Sequence, residues 1–177
     1  MSRGLGDVYK RQDPVPHQVF LMWYLTDTDR VNGCLRVVPG SHNKRLEAHD
    51  RIGTHEDGVR HQDPKTSAGY KPLPGEVDVC VTAGDLVIGD ARVLHAAHAN
   101  NTDQRRTVIT LWYVPRYNEL SEKIRAGFQK QLRPMPVSLG QEEREMLGPV
   151  LVNYTGDAEP AARTFDVSEL LPRQGEP

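Results

Sequence analysis

The chain has little cysteine, no excess of either charge and no long hydrophobic run. Its two cysteines, Cys34 and Cys80, are too few for a disulfide framework, and each lies in an apolar stretch where a thiol usually behaves as a small core residue. Lys and Arg number 22 against 24 Asp and Glu, mixed along the sequence, which excludes the basic patch of a nucleic-acid-binding or anionic-membrane-binding surface. The longest strongly apolar run, residues 19–25, is far short of the roughly 20 residues that cross a bilayer. We therefore expect a cytoplasmic protein with small-molecule partners and with neither nucleic-acid nor membrane partners.

Turn-forming residues, by contrast, are plentiful. The 177 residues include 15 glycines and 13 prolines, which favours a single domain of many short elements and a mainly β fold. Residues 2–12 (SRGLGDVYKRQ) show neither strand alternation nor a helical stripe, and they resemble a translated adapter sequence. We therefore expect residues 1–12 to be a leader outside the fold, residues 13–132 to form the β domain and residues 133–177 to be a Pro-rich extension. On this interpretation the natural protein is longer at its N-terminus.

The first half of the β domain begins with a strongly apolar segment. Residues 17–26 (HQVFLMWYLT) are apolar on both alternating faces, which predicts a central strand covered on both sides. An Asn-Gly turn signal follows, and residues 34–42 (CLRVVPGSH) then read as a returning strand, so the two segments predict a hairpin. Residues 43–75 are polar and aperiodic, which predicts a long surface excursion.

The second half predicts three more strands and one helix. Residues 76–83 and 86–95 are separated by a Gly-Asp turn and predict a second hairpin, with His95 at the far end of its second strand. Residues 105–114 (RRTVITLWYV) predict a further strand, which Pro115 ends. Residues 118–132 place apolar side chains at helical spacing behind a capping Asn118, and we expect this helix to pack outside the sheet.

Two side chains in this second half can do chemistry together. His95 and Arg106 are eleven positions apart across a polar turn, so antiparallel pairing of their strands would bring them to the same end of a sheet. A neutral imidazole suits Fe(II), and a guanidinium fork matches a carboxylate, which are the needs of a site that uses iron and a dicarboxylate cosubstrate. Taken singly, the two residues also fit a structural histidine and a surface arginine.

Four sequence features then point to a known family: NGCLRVVPGSH at 32–42, GDLVIGDARVLH at 84–95, Asn100, and Arg106 within residues 105–114. In this order and spacing they resemble the phytanoyl-CoA dioxygenase family of iron- and 2-oxoglutarate-dependent oxygenases, over roughly residues 17–115. The resemblance implies a double-stranded β-helix, also called a jelly roll. It implies a dioxygenase that converts 2-oxoglutarate to succinate and CO2 while it hydroxylates a C–H bond, with Fe(II) and 2-oxoglutarate required and ascorbate as a further candidate.

The resemblance also assigns roles to single residues. It implies that His95 is the distal histidine of the iron-binding facial triad and that Arg106 binds the far carboxylate of 2-oxoglutarate. Arg105 is expected on the opposite face of the strand.

The other two ligands of the family form a His-x-Asp pair upstream of the first hairpin, which here would fall just before Asp13. We therefore expect a truncated chain that lacks two of three ligands and is inactive alone. A literal His61-Gln62-Asp63 is present, but it follows the PGSH motif within the polar excursion, and we interpret it as a decoy.

Several alternatives remain. His95-x-x-His98 has a zinc-like spacing, but no Cys pair or second His cluster lies near it in the sequence to complete a tetrahedral site. A non-catalytic, cupin-like β-barrel that binds a ligand is the second functional hypothesis. The third is an atypical metal site formed by His61, Asp63 and His95.

Overall fold

The structure, a computed structural model, describes residues 15–44, 46–51, 63, 65–67, 70–132 and 134–160. The chain divides into two compact units, one that includes Met1–Pro115 and one formed by Arg116–Thr164. In the described ranges, no helix is long and apolar enough to span a membrane.

The first unit is built mainly from strands. Among the described residues they are β1 (Val19–Tyr24), β2 (Leu35–Val37), β3 (Val77–Val79), β4 (Leu86–Asp90), β5 (His95–Ala97) and β6 (Val108–Tyr113), accompanied by a short helix, α1 (Glu47–Arg51). The strands form two three-stranded antiparallel sheets, with the orders β4-β1-β6 and β3-β2-β5. The prediction of a mainly β fold is therefore confirmed, whereas the double-stranded β-helix stays a prediction.

Strand β1 occupies the centre of its sheet, as the apolar segment predicts, but the described part of the chain covers only one of its faces. Phe20 and Tyr24 are buried on one face, while Trp23 on the other face is 50% exposed. Leu21, on the face of Trp23, pairs with Ile88 and Leu111, which are also exposed. The expectation of two covered faces is wrong, because an apolar face shows what a strand can bury and not whether a second layer covers it.

Both predicted hairpins are wrong, because the chain changes sheet at each of these turns. Strands β1 and β2 follow one another in sequence but belong to different sheets, and so do β3 and β4. The turn before β2 does reverse the chain: the Asp29 carboxylate accepts hydrogen bonds from the amides of Val31 and Asn32. Turn residues fix the local reversal, but the pairing partner depends on contacts distant in sequence.

The predicted strand over residues 86–95 is two strands. Strand β4 ends at Asp90, whose carboxylate accepts a hydrogen bond from the Arg92 amide at 2.8 Å and from the Arg92 guanidinium Nη2 at 2.7 Å. This local ion pair makes a turn, and the Leu94 amide then donates to Ser41 Oγ at 2.8 Å. His95 therefore begins β5 in the second sheet instead of ending a strand of the first.

The described part of the second unit includes the α-helices α2 (Glu122–Gln131) and α3 (Gln141–Leu147). Helix α2 confirms the predicted helix but is shorter, and its N-cap position is Ser121 instead of Asn118, because Tyr117–Glu119 forms a separate 3-10 turn. Ala126 and Phe128 are the apolar side chains that α2 buries. The packing of this helix outside the sheet stays a prediction.

Comparison of Gly33 with Gly84 tests whether the turn before β2 packs closely against the backbone of residues 98–100. Gly33 and Gly84 both have φ of 99°, but a Cβ at Gly33 would lie 2.9 Å from the His98 carbonyl oxygen, whereas a Cβ at Gly84 meets nothing within 4 Å. We expect Gly84→Ala to lower the free energy of unfolding by roughly 1–2 kcal/mol, through backbone strain alone. Gly33→Ala should cost roughly 3–5 kcal/mol, because the backbone of residues 98–100 must also move. Urea unfolding of both variants measures this, and equal losses would contradict the close approach.

Candidate metal and cosubstrate site

The imidazole of His95 is oriented by its own backbone segment. His95 pairs with Val37 at the end of β2, and its Nδ1 lies 2.9 Å from the Val93 carbonyl oxygen. A carbonyl only accepts, so Nδ1 carries the proton and the lone pair of the neutral ring lies at Nε2. Metal-binding histidines commonly donate their second ring N–H in this way, because the bond fixes both tautomer and orientation.

The His95 ring faces the other sheet. Its centroid lies 5.3 Å from that of Phe20 on β1, and Phe20 in turn makes an edge contact with Trp112 on β6 at 6.2 Å. Phe20 is 3% exposed, and its ring covers Gly89 on β4, where a Cβ would overlap it. The half-buried imidazole therefore lies between the two sheets, against a Phe20 ring whose own position requires a glycine at residue 89.

Arg106 connects the two sheets. It lies two residues before β6, and its Nη1 donates a 2.7 Å hydrogen bond to the carbonyl oxygen of Gly33, which precedes β2. The buried phenol of Tyr24 is nearby: burial raises the pKa of Tyr24, and the positive charge of Arg106 acts against that rise. Arg106 is half-buried, whereas Arg105 is exposed.

Strand pairing does not bring His95 and Arg106 together, so this part of the sequence argument is wrong. Strand β5 pairs with β2, and β6 pairs with β1 in the other sheet. The turn between β5 and β6 leads the chain from one sheet to the other. Asn100 stabilises this turn, because its Nδ2 donates to the Gln104 carbonyl oxygen and its Oδ1 accepts from the Thr102 amide. Both residues instead adjoin β2, with His95 at its end and Arg106 at the segment before its start.

His95 fits one position of a metal site, and the described residues do not complete that site. Among them, the group of three or more metal-binding side chains that lie close together is Cys34, Asp78 and His98, which excludes His95. His61 lies outside the described residues, and the Asp63 carboxylate accepts a hydrogen bond from the Lys65 amide. The interpretation of this pair as a decoy therefore stays a prediction.

Comparison with known proteins identifies the family. The sequence model of the phytanoyl-CoA dioxygenase (PhyH) family matches residues 7–108, and the chain belongs to that family. A curated relative, the phytanoyl-CoA dioxygenase domain-containing protein 1 homolog of Caenorhabditis elegans, is 25% identical over 122 residues, which cover 64% of this chain and 40% of the relative. The chain thus spans less than half the length of this relative.

Solved structures show weaker likeness. HygX from Streptomyces hygroscopicus, with nickel and 2-oxoglutarate bound, is 24% identical with a TM-score of 0.44, over 56% of this chain and 36% of HygX. AviO1 from Streptomyces viridochromogenes Tue57 is 24% identical with a TM-score of 0.38, over 65% of this chain and 45% of AviO1.

Proposed function

We propose that this chain is part of an Fe(II)- and 2-oxoglutarate-dependent dioxygenase that hydroxylates a small organic substrate. Membership of the phytanoyl-CoA dioxygenase family supports the class of reaction. The observation that carries the assignment to this chain is the His95 ring, which faces the other sheet with Nδ1 bonded to the Val93 carbonyl and its lone pair at Nε2. That is the state in which an imidazole binds a divalent metal.

We assign His95 Nε2 as an iron ligand and place the other two ligands in a His-x-Asp pair upstream of Asp13. The longer protein, here meaning this chain with that upstream segment, would then hold iron by three protein ligands on one side, the facial arrangement of non-heme Fe(II) oxygenases. Bound iron and 2-oxoglutarate would supply the oxidising chemistry, in which the oxo acid gives succinate and CO2, with ascorbate as an auxiliary reductant.

Arg106 would hold the far carboxylate of 2-oxoglutarate. Its guanidinium has five N–H donors. The Gly33 carbonyl oxygen accepts a hydrogen bond from Nη1, and this bond fixes the position of the side chain. The remaining donors can bind a carboxylate with two parallel hydrogen bonds. Because Arg106 is half-buried, this ion pair would be screened less by water than one at Arg105.

The free thiols Cys34 and Cys80 support a reducing compartment, and we place the protein in the cytoplasm.

Succinate formation tests the proposed function. With Fe(II), ascorbate and 2-oxoglutarate, the longer protein should form succinate, whereas the 177-residue chain alone should not, because one imidazole and the cosubstrate hold iron too weakly. Robust turnover by the chain alone would contradict the assignment and transfer the ligand role to His61 and Asp63. Binding of 2-oxoglutarate by the longer protein without any turnover would instead support the cupin-like ligand-binding β-barrel.

A further inference from the structure

The β3-β2-β5 sheet carries a second group of metal-binding side chains. Arg36 on β2 pairs with Asp78 on β3 and with Ala96 on β5, and side chains two residues apart share a face. The same face therefore includes Cys34, two residues before Arg36, and His98, whose amide donates to the Cys34 carbonyl oxygen at 3.0 Å. Strand β3, the residue before β2 and the residue after β5 thus place a carboxylate, a sulfur and an imidazole side by side.

The ligand atoms of Cys34, Asp78 and His98 all lie within 4.8 Å of one another, and His98 Nε2 is 2.6 Å from Asp78 Oδ1. Tetrahedral zinc with bonds of 2.0–2.3 Å holds its ligand atoms about 3.5 Å apart, so His98 Nε2 and Asp78 Oδ1 must separate by about 1 Å, and the sulfur must approach them by no more than about 1.3 Å. Sulfur, imidazole nitrogen and carboxylate oxygen are also the three ligand types that Zn²⁺ accepts.

The negative charges around Cys34 favour a cation bound through its thiolate, whereas the positive charges of Arg30 and Arg36 beside Asp78 act against it. The pKa of the Cys34 thiol is raised to about 12. Burial is the largest cause, and a hydrogen bond with Cys80 and the negative charges of Cys80, Asp78 and Asp29 raise this pKa further. A thiol in this position keeps its proton at neutral pH until a cation displaces it. The pKa of Asp78 is lowered, first by its hydrogen bond with His98 and also by the charges of Arg30 and Arg36, so this carboxylate is already ionised.

This group is separate from His95. His95 pairs with Val37, the residue after Arg36. Because successive side chains of a strand point to opposite faces, His95 projects from the face opposite Arg36. The zinc-like spacing His95-x-x-His98 therefore does not describe one site, because the two histidines lie on different faces.

We propose that Cys34, Asp78 and His98 bind Zn²⁺ on the face of the β3-β2-β5 sheet that is opposite His95. Cys80 is two residues after Asp78 and so belongs to the same face, and its interaction with Cys34 contributes to the raised pKa of that thiol. The metal would link the residue before β2, a residue of β3 and the residue after β5, and would stabilise the sheet because it binds the folded chain.

Cobalt serves as the probe, because Co²⁺ replaces Zn²⁺ in tetrahedral sites and a thiolate ligand gives it an intense near-ultraviolet charge-transfer band. Titration of Co²⁺ into the full chain under reducing conditions should reach saturation at one equivalent, and Zn²⁺ should then remove the band. Cys34→Ser should abolish the band, and His98→Ala should weaken Zn²⁺ binding by at least about 100-fold, since even changes outside the ligand shell cost 10–100-fold.

Further single-residue variants, with His95→Ala as the control, show whether the metal binds at Cys34, Asp78 and His98. His95→Ala removes a histidine on the other face of the same sheet, so it should leave the band and the zinc affinity within about twofold of wild type. Asp78→Asn keeps the shape of the side chain and should lower zinc affinity at least about tenfold. Circular dichroism without metal shows whether each variant is folded, and if Cys34→Ser does not fold, Asp78→Asn and His98→Ala decide. A band that survives in Cys34→Ser, or zinc affinity unchanged in folded Asp78→Asn and His98→Ala, would overturn the proposal.

Discussion

His95→Ala is expected to abolish Fe(II)-dependent succinate formation in the longer protein. The Nδ1 bond to Val93 gives His95 the tautomer of a metal ligand, and its ring faces the other sheet. Loss of a direct ligand should weaken iron binding by at least about 100-fold, more than the 10–100-fold typical of groups outside the ligand shell. Succinate measured at several Fe(II) concentrations separates lost metal affinity from lost turnover.

His61→Ala and Asp63→Ala are the matched controls for that variant, because they remove the literal His-x-Asp at residues 61–63. Both should change succinate formation only slightly. Loss of turnover in either folded variant, with activity retained in His95→Ala, would reverse the assignment and support a metal site at residues 61–63.

Arg106→Ala should raise the concentration of 2-oxoglutarate needed for half-maximal turnover far more than Arg105→Ala does. Arg106 is half-buried and fixed by the Gly33 carbonyl, whereas Arg105 is exposed. Loss of the charged partner of a half-buried carboxylate should cost roughly 2–5 kcal/mol of binding free energy, against well under about 1 kcal/mol for an exposed arginine. The effect should be specific to the cosubstrate, with Fe(II) affinity measured without 2-oxoglutarate unchanged.

Arg106→Lys adds a test of geometry. Lysine keeps the charge but not the planar fork, so it should restore only part of the 2-oxoglutarate affinity. Equal weakening by the alanine variants of Arg105 and Arg106, or complete rescue by lysine, would contradict a paired hydrogen bond from Arg106.

Local signals in the sequence predict individual elements well. The apolar segment of β1 indicates the centre of a sheet, and residues 105–114 indicate β6. Which strands pair with one another, however, is not determined by neighbouring residues in the sequence. The turns before β2 and β4 reverse the chain as expected, yet each leads to the other sheet, because the partner of a strand is chosen by burial across the whole unit.

The same limit applies to the candidate sites. The resemblance to the family singles out His95 and Arg106, but their arrangement depends on a chain crossing at residues 91–94 that an Asp90–Arg92 ion pair produces and that no periodicity indicates. Cys34, Asp78 and His98 are far apart in sequence and carry no motif. Only the joint register of β2, β3 and β5 brings them together, so reasoning along the chain does not find them.

The central claim is that His95 and Arg106 serve one site, in which the metal and 2-oxoglutarate bind together. Thermodynamic coupling between the two ligands tests it most directly, by anaerobic calorimetric titration of Fe(II) into the longer protein with and without 2-oxoglutarate. We predict binding of one Fe(II) that is strengthened at least about tenfold by 2-oxoglutarate, a coupling of about 1.4 kcal/mol or more. His95→Ala should remove this Fe(II) binding, and Arg106→Ala should preserve the binding but reduce the coupling at a fixed 2-oxoglutarate concentration. Equal Fe(II) affinity with and without 2-oxoglutarate, or coupling that persists in His95→Ala, would contradict the claim.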